Sequence, residues 1–492
     1  MRARPLLLAP LLLFLACGGH TDAAPVDPIK CGPGTELSDH TCLPLPCGPG
    51  THLVDMRCAP DPSDPSKACG PETHLVGDVC VPIQPDGGLT DATPWSANAR
   101  VFDAATGWAN EPAIAVDSKG NIYVAAMVGK SLSAGRAVAI TKSTDHGKTF
   151  SELKRIGSPG GASFNGDVTL AVDAADRVFW SFIVYKQTSG GIDGKTVVSV
   201  STDGVDFPDP VVVSADDAAN GFCDRPWLAL APDGSMYLSW TNGPTLDSST
   251  GAYSPIGARY AVSKDGGAFG PQQTIIAPNP SAYYLEESPL AFDPGGNPVA
   301  TSTAYGAAPD GSYQFTVNVW RPTGGAKWSS KKVLSLVAGR HFTFETYPLI
   351  TSDASGVLTL TFLNGFSRDV LPYATRSTDG GNTWGAPVKV VHGAATPAGS
   401  ALPWVTTDQK GGVHMLWLDN RWGAWVPYTA YAKDGVTFGV AERIGDKAFV
   451  EDGTDALNIG DFNGIVVRDG TRYAAWTDTR DGVSEVYFAS AK

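Results

Sequence analysis

From about Ser96 to the C-terminus, apolar residues alternate with small or polar ones in short runs, and each run ends at Gly, Pro or Asp. No stretch holds a helical period for long, so the pattern predicts strands throughout. One unit recurs along the chain. "EPAIAVDSKGNIYVAAM" from Glu111 has kin in "DVTLAVDAADRVFWSFI" from Asp167, "RPWLALAPDGSMYLSWT" from Arg225 and "ESPLAFDPGGNPVATST" from Glu287. The others are "YPLITSDASGVLTLTFL" from Tyr347, "LPWVTTDQKGGVHMLWL" from Leu402 and "DFNGIVVRDGTRYAAWT" from Asp461. Each reads as strand, tight turn, strand, and the starts lie 55 to 62 residues apart, which suits one four-stranded sheet per unit. Such a sheet cannot bury both of its faces alone, and stacking a set of them radially does so. The expected fold is therefore all-β, a seven-bladed β-propeller, with a six-bladed ring as the alternative. Six units run on into two further strands, whereas the seventh stops at "SEVYFASAK", one strand short. "NARVFDA" from Asn98 is placed to supply the missing outer strand of the last blade and to remove its open edge.

Between the third and fourth strands of their units stand "STDHGKTFS" from Ser143 and "STDGGNTWG" from Ser377. Worn copies follow the same plan: "STDGVDF" at Ser201, "SKDGGAF" at Ser263 and "AKDGVTF" at Ala432, while the fourth unit has only "RPTGGAKW". In such a hairpin the Asp accepts backbone N–H bonds, the Gly takes the left-handed conformation and the aromatic packs between sheets. An Asp repeated in five blades faces five directions, so its expected role is structural. These repeats resemble the Asp-box (BNR) motif of the sialidase-like propeller superfamily, over about Ser96 to Lys492.

The leader, "MRARPLLLAPLLLFLACGGH", places two arginines before an apolar run from Leu6 to Ala16, too short to span a bilayer. It resembles a bacterial lipoprotein signal: residues 1–16 are then removed, Cys17 is lipidated, and the chain is exported to the cell envelope, at the outer membrane or cell surface. Residues 17–91 are Pro- and Gly-rich and hold three C-x10-C repeats, Cys31 with Cys42, Cys47 with Cys58, and Cys69 with Cys80. In an oxidising compartment these suit three local disulfides, each adding about 3 kcal/mol, on the assumption that pairing is within each repeat. This segment is read as a stalk before a propeller over 92–492. The remaining cysteine, Cys223, is expected to be a buried thiol.

A net charge of −14 excludes a phosphate-binding basic face, so no nucleic-acid partner is expected. Membrane contact would come through the lipid alone, and a monomer is expected. Within a meander, the start of the first strand and the end of the second meet at one mouth of the channel, and the Ser-x-Asp hairpins lie at the other. The first mouth collects Glu111, Asp167, Arg225, Glu287, Tyr347, Leu402 and Asp461, with Asp224, Glu286 and Glu345 beside them. The ends of second strands add Asp419 and Arg421 in "LDNR" and Asp478 and Arg480 in "TDTR". Resemblance to sialidases implies a clamp of Arg225, Arg421 and Arg480 on a carboxylate, a Tyr347 nucleophile paired with Glu287 or Glu345, and Asp167 or Glu111 as the acid. Sialidases have six blades, and their Arg-Ile-Pro motif is absent here. In "DNR" and "DTR" the Asp can instead simply pair with its Arg. The acidic ring also suits a cation such as Ca²⁺, although no cofactor is required. No zinc-type or Ser-His-Asp arrangement is visible among the scattered histidines. Two readings stand: an envelope-anchored propeller that binds a glycan or protein ligand without catalysis, and an exo-sialidase or related glycoside hydrolase.

Overall fold

The alternation that begins before Glu111 becomes, in a computed structural model of the chain, a succession of antiparallel meanders. Six sheets have four strands and one has five, apart from three small hairpins near the N-terminus. The described residues of this part are 94–131, 136–157, 162–188, 191–214, 222–243, 257–277, 283–284, 289–307, 313–324, 327–338, 348–364, 370–390, 399–420, 424–451 and 458–492. The chain divides into two compact units, Met1–Gly88 and Leu89–Lys492. In the first, the hairpins pair Thr35–Ser38 with Thr41–Pro44, Thr51–Val54 with Arg57–Pro60, and Thr73–Val76 with Val79–Pro82. Cys17, Cys31, Cys47 and Cys69, and with them the lipidation and disulfide readings, lie outside the described residues.

In the second unit, blade one runs outward through Trp108–Val116, Ile122–Gly129, Ala137–Ser143 and Ser151–Ile156. The innermost strands of blades two and three are Ala162–Val172 and Phe222–Leu230. Blade four begins with Tyr283–Tyr284 and Leu290–Phe292, both paired to Pro298–Ala307, and blades five to seven begin with Leu349–Ser352, Ser400–Thr407 and Gly464–Arg468. Blade seven has three strands of its own, and Ala99–Arg100 pairs with Glu485–Ala491 as its fourth. Trp95 bridges Ala491 one step further along.

Because side chains alternate across each strand, every blade offers an apolar face to both neighbours. Seven clusters of buried side chains result, one at each junction of the ring. Phe179, Leu238 and Trp240 join blades two and three; Val299, Phe362 and Leu360 join four and five. Trp95, Leu418, Phe449 and Trp476 join six and seven. The last junction, between seven and one, holds Val101, Phe102, Ile114, Val124 and Phe488. A cluster at that junction closes the circle, so the ring has seven blades and not six. Cys223 lies in the junction between two and three, where burial pushes its thiol up.

The Ser-x-Asp hairpins hold themselves together as their composition implies. Asp145 Oδ1 accepts the N–H groups of Lys148 and Thr149, and its Oδ2 accepts the Thr149 hydroxyl. Asp379 repeats the pattern with Thr383. Gly147 has φ +82°, and a Cβ there would lie 1.9 Å from the Phe488 ring, so glycine serves both the turn and the next blade. A second set of turns, between first and second strands, uses Asp117, Asp173, Asp293, Asp353 and Asp408. Each accepts two backbone N–H bonds on one carboxylate oxygen. Gly380 approaches Asp293 of the preceding blade, which puts both sets of turns at the same end of the ring.

Candidate functional site

At the opposite end, four inner-strand positions share an unusual backbone. Glu111, Asp167, Arg225 and Leu402 have φ of +57°, +49°, +47° and +48°. In each blade the pairing with the second strand slips there, between Asn110 and Ala113, Gly166 and Thr169, Asp224 and Trp227, and Ala401 and Trp404. These positions are therefore β-bulges inside the inner strands, not the residues just before them. A bulge re-aims the side chain it carries, and left-handed backbone at a non-glycine residue persists only where its surroundings hold it.

The local bonds show what holds Glu111. Its N–H donates to Asn110 Oδ1 (2.7 Å) and Thr477 Oγ1 (3.0 Å), and that hydroxyl donates to Asn110 Oδ1 (2.8 Å). Asn110 Nδ2 donates to the Asn458 carbonyl (2.9 Å), so the lock joins blades one and seven. Glu111 Oε1 accepts the N–H of Asp461 (3.2 Å). The residue is 6% exposed, and its second oxygen, Oε2, has no hydrogen-bond partner among the described residues.

Arg225 links three blades. Its N–H donates to Asp224 Oδ1 (3.1 Å) and Asp167 Oδ2 (3.3 Å). Its Nη2 reaches Asp461 Oδ2 across the mouth at 3.0 Å, and the guanidinium lies 5.4 Å from the Phe462 ring centre. Tyr185 donates to Asp224 Oδ1 (3.0 Å). Two residues further down the inner strands, Trp227 of blade three and Trp404 of blade six meet with ring centres 4.9 Å apart. Phe462 stands edge-on to Trp404 at 6.1 Å. Trp227 and Trp404 thus meet at the axis, where they floor the mouth.

Electrostatics follow from this crowding. Burial, and then Asp167 and Asp461, push the Glu111 carboxyl well above the usual range, with Arg136 and Arg225 opposing. A raised acid contributes stability below its unfolded value and loses it as pH rises through its folded value. The melting midpoint of the wild type is therefore expected to fall between about pH 4 and about pH 8 by more than that of Glu111→Gln, which has no proton to lose. Scanning calorimetry across that range checks this; parallel curves for the two proteins would show that Glu111 is not strained by ionisation.

Glu111, Asp167, Arg225 and Asp461 thus come together. Arg480 does not join them. Its guanidinium is bonded to Asp478 Oδ2 (2.5 Å from Nη2), to Asp446 and to Asn98 (3.1 Å), and lies over Tyr487 at 4.2 Å. The Asp of "TDTR" pairs with its own arginine, tying blade seven to the last turn of blade six and to the segment that closes the ring. Placing Arg480 in a substrate clamp is corrected accordingly: with side-chain exposure of 4% it is enclosed by structural partners. Tyr347, Glu287, Glu345 and Arg421 lie outside the described residues. Among the described residues no group of three His, Cys, Asp or Glu side chains is arranged to hold a metal ion. Sequence reasoning missed Asn110, Asn458, Thr477 and Gly460, whose roles are purely contacts across a junction.

The fold defines the chain as a seven-bladed β-propeller with a polar mouth over an aromatic floor. No protein-family model matches it, and no curated protein matches it. Among solved structures it is similar to the polysaccharide lyase Uly1, with 12% identity, 78% of this chain and 90% of that one covered, and a TM-score of 0.49. An α-L-arabinanase of Penicillium chrysogenum, complexed with arabinobiose, has 13% identity, coverage of 80% and 98%, and a TM-score of 0.44. A protein of unknown function from Dyadobacter fermentans has 12% identity, coverage of 81% and 98%, and a TM-score of 0.45. At these TM-scores the likeness carries no inference about ligand or activity.

Proposed function

We propose that this chain is an exported propeller, held at the cell envelope by a lipid on Cys17, that binds a glycan or protein ligand at the mouth and does not turn it over. The observation that carries the reading is the meeting of Glu111, Asp167, Arg225 and Asp461, from four blades, above Trp227 and Trp404. Convergent polar groups over an apolar floor suit recognition, and the bulges that aim three of them are conformations the rest of the ring must hold in place. Binding without chemistry is supported by one feature: Arg225 is already engaged by Asp461, so it does not clamp a substrate carboxylate without rearrangement.

Glycoside hydrolysis of sialidase type, with Tyr347 and Glu287 as the nucleophile pair, is the second reading. It is favoured by one observation: a carboxyl held toward its acid form beside Asp167 is what a general acid needs. The two readings separate on a panel of fluorogenic glycosides, sialosides first, run beside glycan-array and protein-capture binding. Saturable binding without turnover is expected, weakened at least about ten-fold by Arg225→Ala, since the guanidinium holds Asp461 in place across the mouth. Asp379→Ala, in a turn at the other end of the ring, should leave binding unchanged. Turnover that Tyr347→Phe abolishes would overturn the binding reading.

A further inference from the structure

The mouth holds an acceptor that none of the described residues satisfies. Glu111 Oε2 is buried without a hydrogen-bond partner, although Oε1 of the same carboxyl is bonded to Asp461. A buried acceptor left open is costly, and a protein keeps one where a bound group completes it. Around it stand Asp167 and the half-exposed Asp461. Arg225 shows how this place treats a cation: its guanidinium lies between the Asp461 carboxylate and the face of Phe462. An aromatic face beside carboxylates attracts positive charge from both.

We propose that the ligand of this mouth presents a primary ammonium group, seated among Glu111, Asp167 and Asp461 and above the rings of Phe462 and Trp404. The inference rests on the binding reading above and narrows it to a chemical class. The charged groups that face Glu111 are Asp167 and Asp461 on one side of the balance and Arg136 and Arg225 on the other. Adding a cation next to Oε2 favours the ionised carboxylate, so binding releases a proton from Glu111. An uncharged or anionic ligand gives no such release.

Two sources carry this group, an amino sugar and a lysine side chain, and the test has an arm for each. The full chain is titrated calorimetrically with glucosamine trisaccharide and with an acetyl-Gly-Lys-Gly-amide peptide, in two buffers of different ionisation enthalpy. The controls are the same two probes with the amine acetylated, and trigalacturonate. At least one amine is expected to bind about ten-fold or more tightly than its acetylated form, with proton release that depends on buffer. Asp461→Asn should weaken that binding, and Glu111→Gln should bind the amine with no proton release. Circular dichroism confirms that each variant is folded. Equal affinity for amine and acetylated probes, tighter binding of trigalacturonate, or no binding of either amine overturns the assignment. Of these, binding of trigalacturonate or an acetylated probe leaves the binding reading standing. That reading falls separately, if the glycan and protein panels give no saturable ligand at all.

Discussion

Deleting residues 94–102 is expected to lower the melting midpoint by roughly 5–10 °C and to make the protein self-associate. The segment buries Trp95, Val101 and Phe102, each 6% exposed or less. Removing three large apolar side chains from such sites forfeits about 1.5–3 kcal/mol apiece, and for a domain of this size each kcal/mol is worth about 1 °C. Arg472, whose guanidinium lies 5.0 Å from the Trp95 ring centre, loses that contact as well and keeps its bond to Glu442. The deletion also bares the outer edge of Glu485–Ala491, a template for pairing with a second molecule. Calorimetry and size-exclusion chromatography read both effects. An unchanged midpoint with a monomeric elution would mean that the ring does not depend on this strand, and the account of its closure would fail.

Gly460→Val should damage the mouth more than any conservative change to a charged residue there. Gly460 has φ +67°, where a β-branched side chain is an outlier costing about 1–3 kcal/mol. The added Cβ would stand 2.3 Å from Glu111 Cγ and 2.4 Å from Asn110 Oδ1, so both must move. Those two residues hold the first bulge, and Asp461, next in sequence, carries the bond to Arg225. Ligand binding is expected to fall by about ten-fold or more, with a melting midpoint lower by a few degrees, about 1 °C for each kcal/mol. Normal affinity in the folded variant would place the ligand elsewhere. The removal of a charge at Asp461 tests attraction alone, whereas Gly460→Val tests the geometry on which several charges depend.

The propeller was legible because its periodicities are local. Seven strand–turn–strand units at near-constant spacing require seven sheets, and the missing strand after "SEVYFASAK" points to its substitute in "NARVFDA". The turn residues were legible for the same reason: Asp145 and Gly147 act within a few residues of themselves. The mouth was read only in part. Topology alone placed Glu111, Asp167, Arg225 and Asp461 at one end of the axis, since the start of every inner strand lies there. It did not reveal the bulges, because a bulge depends on pairing with the second strand and leaves no mark in an apolar–polar pattern. Arg480 misled for a related reason. Its position at the end of a second strand is correct, but Asp446 and Asn98 draw its side chain away from the axis, and both are remote in sequence.

The amino-acid sequence by itself determined the strand period, the sevenfold repeat, the strand that closes the ring and the turn chemistry at one end. All of these follow from backbone preference and side-chain alternation over a few residues. Only the tertiary structure decided which charged groups face one another, that Trp227 and Trp404 close the axis beneath them, and that one oxygen of Glu111 is left without a partner among the described residues. Those outcomes depend on distances between residues hundreds of positions apart, and such distances exist only once the ring is closed.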